Sequence, residues 1–388
     1  MIQRTAHVQL LEDLQDYPAV AITGARQTGK TTLAKQMSDV LQLPVHYIDL
    51  EFPDDIAKLQ NPVLFFKEHE NDTVILDEIH RMPELFPVMR SLIDQNRKPG
   101  RFIILGSASP ALLRDSSESL AGRISYTHLS PLNLIEVSEL HDWKTLLLRG
   151  GFPPSLLATS DKSSFRWRTN FVQTYLEREL PALGLDSDVR ILRKLLIMIA
   201  QSQAQLLNTQ GLSNSLGVTR PTVARYIDFM EKAYLLTRLE PYFANLGKRL
   251  VKSPKLYLSD TGLFHTLLGV QTFDKLLSHP MVGASWEAFV IQQTRSLLPD
   301  DLDIWFFRTH EGAEADIVLT RNDIPVVCAE IKWTNAPKVS KGFRNVINYL
   351  NTPRNFVITP DADSYPVEEN IRVTSLMSWL EMVHGREL

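Results

Sequence analysis

The chain has 388 residues, of which 44% are hydrophobic and 22% charged, and its formal net charge is −4. This composition is typical of a soluble globular protein with two or three domains. No apolar run approaches the roughly 20 residues that span a bilayer, and the first residues lack the apolar stretch of an export signal. The single cysteine, Cys328, excludes an internal disulfide. We therefore expect a cytoplasmic protein without a membrane partner.

The first apolar run, residues 19–22, leads into Gly-Ala-Arg-Gln-Thr-Gly-Lys-Thr at 24–31 and then into a helical pattern. A glycine-bracketed loop between a strand and a helix turns its N–H groups toward a phosphate chain. We expect Lys30 to reach the β and γ phosphates and the Thr31 hydroxyl to ligate Mg²⁺. The predicted nucleotide-binding residues are Gly24, Ala25, Arg26, Gln27, Thr28, Gly29, Lys30, Thr31 and Thr32.

Strand-like segments at 45–50, 73–79, 101–105 and 124–127 alternate with helical ones, which predicts a parallel α/β sheet. Ligands bind such sheets at the carboxyl ends of the strands. Asp77, which follows the apolar residues of its strand, is placed to orient the water shell of Mg²⁺, and Glu78 to act as general base on the attacking water. The alternative is an acidic loop that caps the next helix. We predict hydrolysis of the bound nucleotide.

Two further residues are candidates for contact with the γ-phosphate. Ser107 follows the fourth strand and is the predicted sensor, although a helix cap explains it too. Arg123, just before the fifth strand, is the predicted arginine finger, acting in its own or a neighbouring subunit. Arg114 is its competitor, and a structural role is the alternative for both arginines. A finger acting between subunits requires a homo-oligomer, for which we expect a ring.

These motifs together resemble an AAA-type ATPase family of bacteria and archaea whose C-terminal domain is of unknown function. The segments that carry the resemblance are 24–31, 76–78, 106–109, 120–123 and Arg-Gly-Gly-Phe-Pro at 149–153. The resemblance implies ATP as the nucleotide and an ASCE-type P-loop core followed by a helical lid. It also suggests Pro153 as an adenine-side contact. Tyr257, Asp260 and Gly262 match the same family pattern without an assigned role.

The middle of the chain is basic. From Arg190 to Lys255 there are eleven basic and three acidic residues, a local charge of +8 that leaves −12 for the rest. Helical patterns at 165–180, 191–200, 208–216 and 220–232, followed by a strand at 235–239, predict a winged helix-turn-helix. The charge favours duplex or branched DNA as partner. The alternatives are a lid, a protein-binding module or a surface whose charges even out. The predicted DNA contacts are Arg220, Thr222, Arg225, Tyr226, Lys248 and Arg249.

The C-terminal third contains strand patterns at 302–307, 315–319 and 325–333. A three-residue hairpin loop at 322–324 would place Asp316 opposite Glu330, with Lys332 on the same face. This set resembles the PD-(D/E)XK nuclease core, although Ala315 stands where that core usually has proline.

The nuclease resemblance implies that the two carboxylates hold Mg²⁺ and that Lys332 stabilises the attacking hydroxide. Glu287, in a helical stretch, matches the helix glutamate of nuclease families that include archaeal Holliday-junction resolvases, and is the third predicted ligand. The alternative is an inert nuclease fold in which these residues form salt bridges.

The expected fold class is α/β. The predicted domains are a parallel-sheet P-loop ATPase core (1–140), a helical lid (141–185), a winged helix (186–250) and an α/β nuclease-like domain (251–388). The favoured function is an ATP-hydrolysing motor that remodels or translocates DNA, of helicase or branch-migration type. An ATP-gated, Mg²⁺-dependent nuclease and a nucleotide-switched signalling or scaffold ATPase are the alternatives.

Overall fold

The structure is a computed structural model that describes residues 2–41, 44–107, 120–243 and 250–388. Arg114, Lys248 and Arg249, named above as candidates, lie outside the described residues. The chain divides into two compact units, one of residues 1–132 with 232–234 and one of residues 133–231 with 235–388. Within the described ranges, no helix is both long and apolar enough to cross a membrane.

The first unit is built on a sheet of five parallel strands in the order β2-β3-β4-β1-β5. The strands are β1 Ala19–Thr23, β2 Val45–Asp49, β3 Thr73–Asp77, β4 Phe102–Gly106 and β5 Ile124–His128. The helices are α1 Ala6–Asp16, α2 Lys30–Val40, α3 Pro53–Lys58, α4 Pro62–Glu68 and α5 Leu85–Gln95. This is the predicted α/β P-loop architecture.

Hydrophobic layers cover both faces of this sheet. Alternate residues of a strand point to opposite faces, and accordingly Val20 and Ile22 belong to one buried cluster while Ala19 and Ala21 belong to another. Every residue of β1, β3 and β4 is buried. Continuous apolar strands of this kind suit a sheet that is covered on both sides. The polar strand ends are therefore where chemistry is possible.

The second unit contains helices followed by a mixed sheet. Its helices are α6 Leu134–Val137, α7 Trp143–Arg149, α8 Pro153–Leu156, α9 Asp161–Thr174, α10 Leu180–Ala182, α11 Val189–Gln201, α12 Thr209–Leu216, α13 Arg220–Lys232, α14 Thr261–Leu267, α15 Phe273–Leu277, α16 Val282–Leu297, α17 Lys341–Leu350 and α18 Leu376–His384. A π-helical turn at Tyr175–Glu179 separates α9 from α10. The helix expected at 165–180 is therefore three consecutive segments.

The helix-turn-helix and its wing are formed by α12, α13 and a hairpin. Strand β6 Leu236–Leu239 pairs antiparallel with β7 Lys255–Leu258. The Asn208 side chain caps α12 at the N–H of Gly211, and Thr219 Oγ1 accepts from the N–H of Thr222 in the first turn of α13. The wing hairpin crosses the domain boundary expected at 250/251, so that boundary is wrong.

The second sheet has six strands in the order β12-β13-β11-β10-β9-β8. The strands are β8 Asp303–Arg308, β9 Glu314–Arg321, β10 Ile324–Ile331, β11 Arg354–Thr359, β12 Tyr365–Glu368 and β13 Ile371–Ser375. The β9–β10 turn has two residues, Asn322 and Asp323, both with positive φ, which is typical of a type I′ hairpin.

The hairpin loop expected at 322–324 is therefore one residue too long. A bulge between Pro325 and Val327 compensates for the difference, and beyond it Ala329 pairs with Ile317. One step further along the same register, Glu330 stands opposite Asp316, as the sequence predicted. The expected juxtaposition thus arises from a two-residue turn and a bulge.

Asp260, which had no assigned role, is a structural hub. Its carboxylate is fully buried and accepts from the N–H of Leu263 (2.9 Å), which caps α14, and from the N–H of Gly151 (2.8 Å). A Cβ on Gly150 would lie 2.1 Å from this carboxylate, and one on Gly262 would lie 2.2 Å from the Arg149 carbonyl oxygen. These motif residues therefore serve close packing of the second unit.

Candidate functional site

The loop between β1 and α2 is shaped by its two glycines. A Cβ on Gly24, where φ is 151°, would lie 2.3 Å from the Leu129 carbonyl oxygen. Gly29 precedes α2 with a φ of 97°. Only glycine fits the close approach at the first position, and it is favoured by the backbone at the second. The loop therefore has the conformation that a phosphate-binding turn requires.

Lys30 is buried inside this loop. Its Nζ donates to the carbonyl oxygens of Gly24 and Ala25, both at 3.0 Å. These contacts hold the positive charge within the curve of the loop. Thr28 Oγ1 also donates to the Ala25 carbonyl (2.9 Å), which ties the loop to itself. The predicted phosphate-binding lysine thus lies where the phosphates are expected.

The predicted magnesium ligands are in direct contact. Thr31 Oγ1 donates to Asp77 Oδ2 at 2.8 Å, although 46 residues separate them in the sequence. Hydroxyl and carboxylate oxygens are the hard donors that Mg²⁺ prefers. The pair therefore fits a magnesium ion bound beside the nucleotide phosphates. Thr32, the next residue of α2, is exposed.

Tyr47 is a member of this group that the sequence analysis missed. Its hydroxyl donates to the same Asp77 Oδ2 at 2.7 Å. Burial, and then the hydrogen bond and charge of Asp77, raise the pKa of Tyr47 well above its ordinary value, so the phenol remains a donor. The contact arises because β2 lies beside β3 in the sheet, and no motif in the sequence indicated it.

Glu78, the predicted general base, leaves β3 in the left-handed region with a φ of 56°. Its Oε2 accepts from Ser107 Oγ at 3.2 Å and lies 3.2 Å from His80 Nδ1. Burial by itself raises the pKa of Glu78, but His80 and the charges of Lys30 and Arg26 outweigh it and lower the pKa below the usual range. The carboxylate is therefore ionised at neutral pH, as a general base must be.

The carboxyl ends of the strands bring these residues together. Asp77 ends β3, Glu78 follows it, and Ser107 follows β4. β3 and β4 are neighbours in the parallel sheet, and β4 also pairs with β1, which leads into the loop. The arrangement supplies phosphate binding, a magnesium site and a base for water in one place. This arrangement fits hydrolysis of a nucleoside triphosphate.

Residues outside the motifs support the loop. The buried Arg4 donates to the carbonyl oxygens of Thr28 (2.9 Å) and Ser130 (2.6 Å). Glu51 pairs with Arg81 (2.5 Å) and with Arg26 of the loop (3.5 Å). Because the acceptors of Arg4 are main-chain carbonyl oxygens, they leave no pattern of residue types in the sequence. The contact of Arg4 with the loop was therefore not predicted.

Arg123 lies at the amino ends of the strands, whereas the phosphate-binding loop lies at their carboxyl ends. The first residue of β5, Ile124, pairs with Ala19 at the start of β1, whereas the loop follows the end of β1. The guanidinium is held by Asp94 at 2.6 and 2.9 Å. The expectation that Arg123 reaches the phosphates of its own subunit is therefore wrong. A finger acting on a neighbouring subunit stays a prediction.

A second group of candidate residues surrounds a buried lysine. Lys255 Nζ lies 2.8 Å from Glu287 Oε1, 2.8 Å from Glu314 Oε1 and 3.6 Å from Asp316 Oδ1, and the residue is 3% exposed. Tyr257 donates to Glu287 Oε1 at 2.8 Å. We call these five residues the Lys255 cluster. Lys255, one of the eleven basic residues between Arg190 and Lys255, is therefore not part of a basic surface.

Glu330 and Lys332 have other partners. Lys332 Nζ pairs with Glu330 Oε1 at 2.9 Å, and the N–H of Ser340 donates to Glu330 Oε2 at 3.3 Å. In the described part of the chain, Glu287, Asp316 and Glu330 do not form a group with ligand atoms close enough to share one ion. The three predicted ligands are therefore not gathered around one point, and a magnesium site at Asp316 and Glu330 stays a prediction.

The electrostatics of the Lys255 cluster agree with this geometry. Burial opposes the ammonium, but the charges of Glu287, Asp316 and Glu314 outweigh it and raise the pKa of Lys255. Burial, followed by the charge of Glu287, raises the pKa of Asp316 to about 7 against the opposing effect of Lys255. The Lys255 ammonium lies among Glu287, Glu314 and Asp316, where a divalent ion would have to lie, so as arranged these residues do not fit Mg²⁺.

The predicted DNA contacts differ in how exposed their side chains are, and contact with DNA stays a prediction. Arg220 and Arg225 of α13 are exposed; Arg220 donates to Thr209 Oγ1 (2.9 Å), and Arg225 lies 5.4 Å from the Tyr226 ring. Thr222 is half-buried. Tyr226 is only 6% exposed because it packs on the buried side of α13, so its assignment as a DNA contact is wrong.

The basic excess is smaller on the surface than in the sequence. Arg238 pairs with Asp228 and Glu231, and Arg190 pairs with Asp188 at 2.9 Å. Asp228 and Glu231 are already counted in the local charge of +8. The excess that a polyanion would meet is therefore lowered only by buried Lys255 and by the pairing of Arg190 with Asp188, which lies outside the counted segment. Pro153 begins α8 and is half-buried, and its adenine contact stays a prediction.

Comparison with known proteins identifies the family. A model described as an AAA domain matches residues 16–138, and two models of domains of unknown function, DUF8612 and DUF4143, match residues 140–274 and 282–379. Uncharacterized proteins of Mycobacterium tuberculosis and Mycobacterium bovis are each 38% identical over 370 residues, which is 95% of this chain and 82% of theirs. The chain belongs to their family. It is an AAA-type ATPase whose remaining domains are of unknown function.

Among solved structures, the Walker-type ATPase PABY2304 of Pyrococcus abyssi is similar. It is 14% identical, the match covers 69% of this chain and 96% of that one, and the TM-score is 0.47. The relationship to the family therefore rests on the sequence matches and on the AAA domain, and the strand order given above establishes the fold.

Proposed function

We propose that this AAA-type ATPase binds ATP with Mg²⁺ and uses its hydrolysis to remodel or translocate duplex or branched DNA. The observation that supports hydrolysis is the 2.8 Å contact between Thr31 and Asp77, beside Glu78 with a lowered pKa. Binding alone needs the loop and Lys30. A base placed next to the magnesium ligands serves the attack of water.

DNA as the partner is supported by α13. Arg220 and Arg225 lie near the start of the second helix of a helix-turn-helix and are exposed. In helix-turn-helix proteins, residues in this part of the second helix contact the major groove. Arginine side chains there bind phosphates or base edges. The proposal assigns these two residues to DNA contact.

The experiment is an ATPase assay against single-stranded, duplex, forked and four-way DNA at a fixed, stated salt concentration, since phosphate contacts are salt-sensitive. We expect branched or duplex DNA to stimulate the rate. The double variant Arg220→Ala with Arg225→Ala should lose this stimulation and keep the basal rate. A matched control is Lys162→Ala with Arg166→Ala, two exposed basic residues of α9. Absence of stimulation by every DNA would contradict DNA as the partner.

A second candidate, a nucleotide-switched scaffold with an inert nuclease fold, is favoured by the Lys255 cluster. Buried Lys255 pairs with Glu287 and lies 3.6 Å from Asp316, two of the three carboxylates that a nuclease would use for Mg²⁺. Cleavage and strand displacement of the same DNA substrates, each scored separately, distinguish the candidates. Strand displacement without cleavage, retained in Asp316→Asn and lost in Lys30→Ala, supports the motor. Cleavage that is lost in Asp316→Asn would support the nuclease instead.

A further inference from the structure

Two histidines and an aspartate converge at the edge of the first sheet opposite the nucleotide site. His46 is the second residue of β2, His69 directly follows α4, and Asp72 directly precedes β3. His46 Nε2 lies 2.8 Å and His69 Nδ1 lies 3.0 Å from the same oxygen, Asp72 Oδ2. His46 pairs with Val74 in the register of the sheet, which places the group at the amino ends of the strands, whereas Asp77 is at the carboxyl end.

The three side chains present their donor atoms to one point. One ligand atom from each lies within 4.8 Å of the others, and among the described residues no other group of three or more histidine, cysteine, aspartate or glutamate side chains does so. The two imidazole rings lie against each other, with centroids 3.8 Å apart, and the Phe65 ring packs edge-on to both. The rings are thus fixed by packing, and all three residues are partly buried.

We propose that His46, His69 and Asp72 bind a divalent first-row transition metal ion, Zn²⁺ in particular. Imidazole nitrogens and a carboxylate oxygen suit Zn²⁺ rather than Mg²⁺. Three protein ligands leave one position of a tetrahedral zinc ion for water. The ligands come from β2, from the end of α4 and from the segment that enters β3. The ion therefore joins α4 and the β3 entry to β2, independently of the nucleotide site.

The alternative for the same residues is a hydrogen-bonded cluster in which both imidazoles donate to Asp72 and no metal binds. The two possibilities differ in the response to added metal. A metal that binds only the folded chain raises the unfolding temperature with its concentration, and a hydrogen-bonded cluster does not respond.

The test uses the full chain stripped with a chelator and titrated with Co²⁺ in saturating Mg²⁺, so that the nucleotide site does not compete. We expect one equivalent of Co²⁺ to bind with visible absorption bands of low coordination number, and Zn²⁺ to displace it. His46→Asn, His69→Asn and Asp72→Asn should each weaken binding at least tenfold, while the exposed His310→Asn should not.

Loss of metal binding in a variant could also result from misfolding, so a second variant is chosen that gains an absorption band when it binds the metal. His69→Cys keeps a zinc ligand and should add a thiolate-to-cobalt absorption band, which the wild-type chain, whose single cysteine Cys328 is buried elsewhere, lacks. The proposal is overturned if the wild-type chain binds no Co²⁺ or Zn²⁺ equivalent, if His46→Asn binds as tightly as wild type, or if the folded His69→Cys chain shows no such band.

Discussion

Lys255 Nζ lies 2.8 Å from Glu287 Oε1, and this contact places a buried ammonium among carboxylates that the sequence assigns to a metal. An ion inside a protein is stable only when it is paired. Glu287, Glu314 and Asp316 together supply more negative charge than one lysine cancels, and burial followed by the charge of Glu287 raises the pKa of Asp316 to about 7. The Lys255 cluster is thus a structural unit that depends on its cation.

Lys255→Met should destabilise the chain by about 3–5 kcal/mol, since removing one partner leaves buried charges uncompensated. Part of the loss should return when a divalent cation is added, because the freed carboxylates then offer oxygen ligands. Urea unfolding with and without about 10 mM Mg²⁺ or Ca²⁺, an excess of the cation over the protein, measures both effects. The exposed Lys252→Met is the control. A stable Lys255→Met chain would refute the structural role.

Glu78→Gln should lower kcat for ATP hydrolysis by about 10²–10⁴-fold, because it removes the general base, while nucleotide binding persists through Lys30 and the loop. Ser107→Ala, which removes one hydrogen bond to Glu78, should give a smaller decrease. Steady-state ATPase rates and binding of a fluorescent nucleotide distinguish the steps. Equal kcat in Glu78→Gln and wild type would exclude Glu78 as the base.

Tyr47→Phe tests the residue that the motifs did not reveal. It removes the hydroxyl that donates to Asp77 Oδ2 at 2.7 Å, and a hydrogen bond to a charged acceptor contributes about 1.5–3 kcal/mol. We expect a higher Mg²⁺ concentration for half-maximal ATPase, with little change in nucleotide affinity measured without the metal. Tyr126→Phe, a partly exposed tyrosine of β5, is the matched control and should leave the Mg²⁺ dependence unchanged.

Asp77 could be placed in the site from the sequence, whereas Tyr47 could not, and the difference has a physical reason. Asp77 and Glu78 follow a buried strand, and strand ends in a parallel sheet meet at one edge, so position in the chain determines position in space. Tyr47, Arg4 and Lys255 reach their partners from distant segments without a spacing rule. Tyr226 was predictable as buried, because it falls at helical spacing from Val223 and Met230, both buried. The polar hydroxyl of Tyr226 led to its assignment to the exposed side of α13, which is wrong.

His265 should make stability depend on pH. It is fully buried, with Nδ1 3.1 Å from the Leu148 carbonyl oxygen and Nε2 2.7 Å from Ser285 Oγ. Burial lowers its pKa to about 3 against the opposing effect of the Leu148 carbonyl. Between its ordinary pKa and this value the unfolded chain binds the extra proton, so stability falls by about 1.4 kcal/mol per pH unit as pH decreases.

The measurement is urea unfolding of the second unit between about pH 7.5 and 5. Asp316, whose pKa is raised to about 7, and Asp260, whose pKa burial also raises, contribute with the opposite sign in both chains, so the His265 effect is the difference between the two profiles. His265→Gln should be less stable than wild type at pH 7.5 and should show a shallower decrease toward pH 5. Parallel pH profiles for the two chains would contradict the assignment.

Arg123 offers a test of assembly. Its own loop lies at the other edge of the sheet, so any contribution to hydrolysis must be made on a neighbouring subunit. Arg123→Ala and Lys30→Ala should each be inactive alone, and mixing them should restore part of the ATPase, because a Lys30→Ala subunit still supplies Arg123 to an intact loop. Asp94→Ala is the control, since it removes the ion pair at 2.6 Å and leaves the arginine. If Asp94→Ala is as inactive as Arg123→Ala and mixing restores nothing, the ion pair is structural and Arg123 is not a finger.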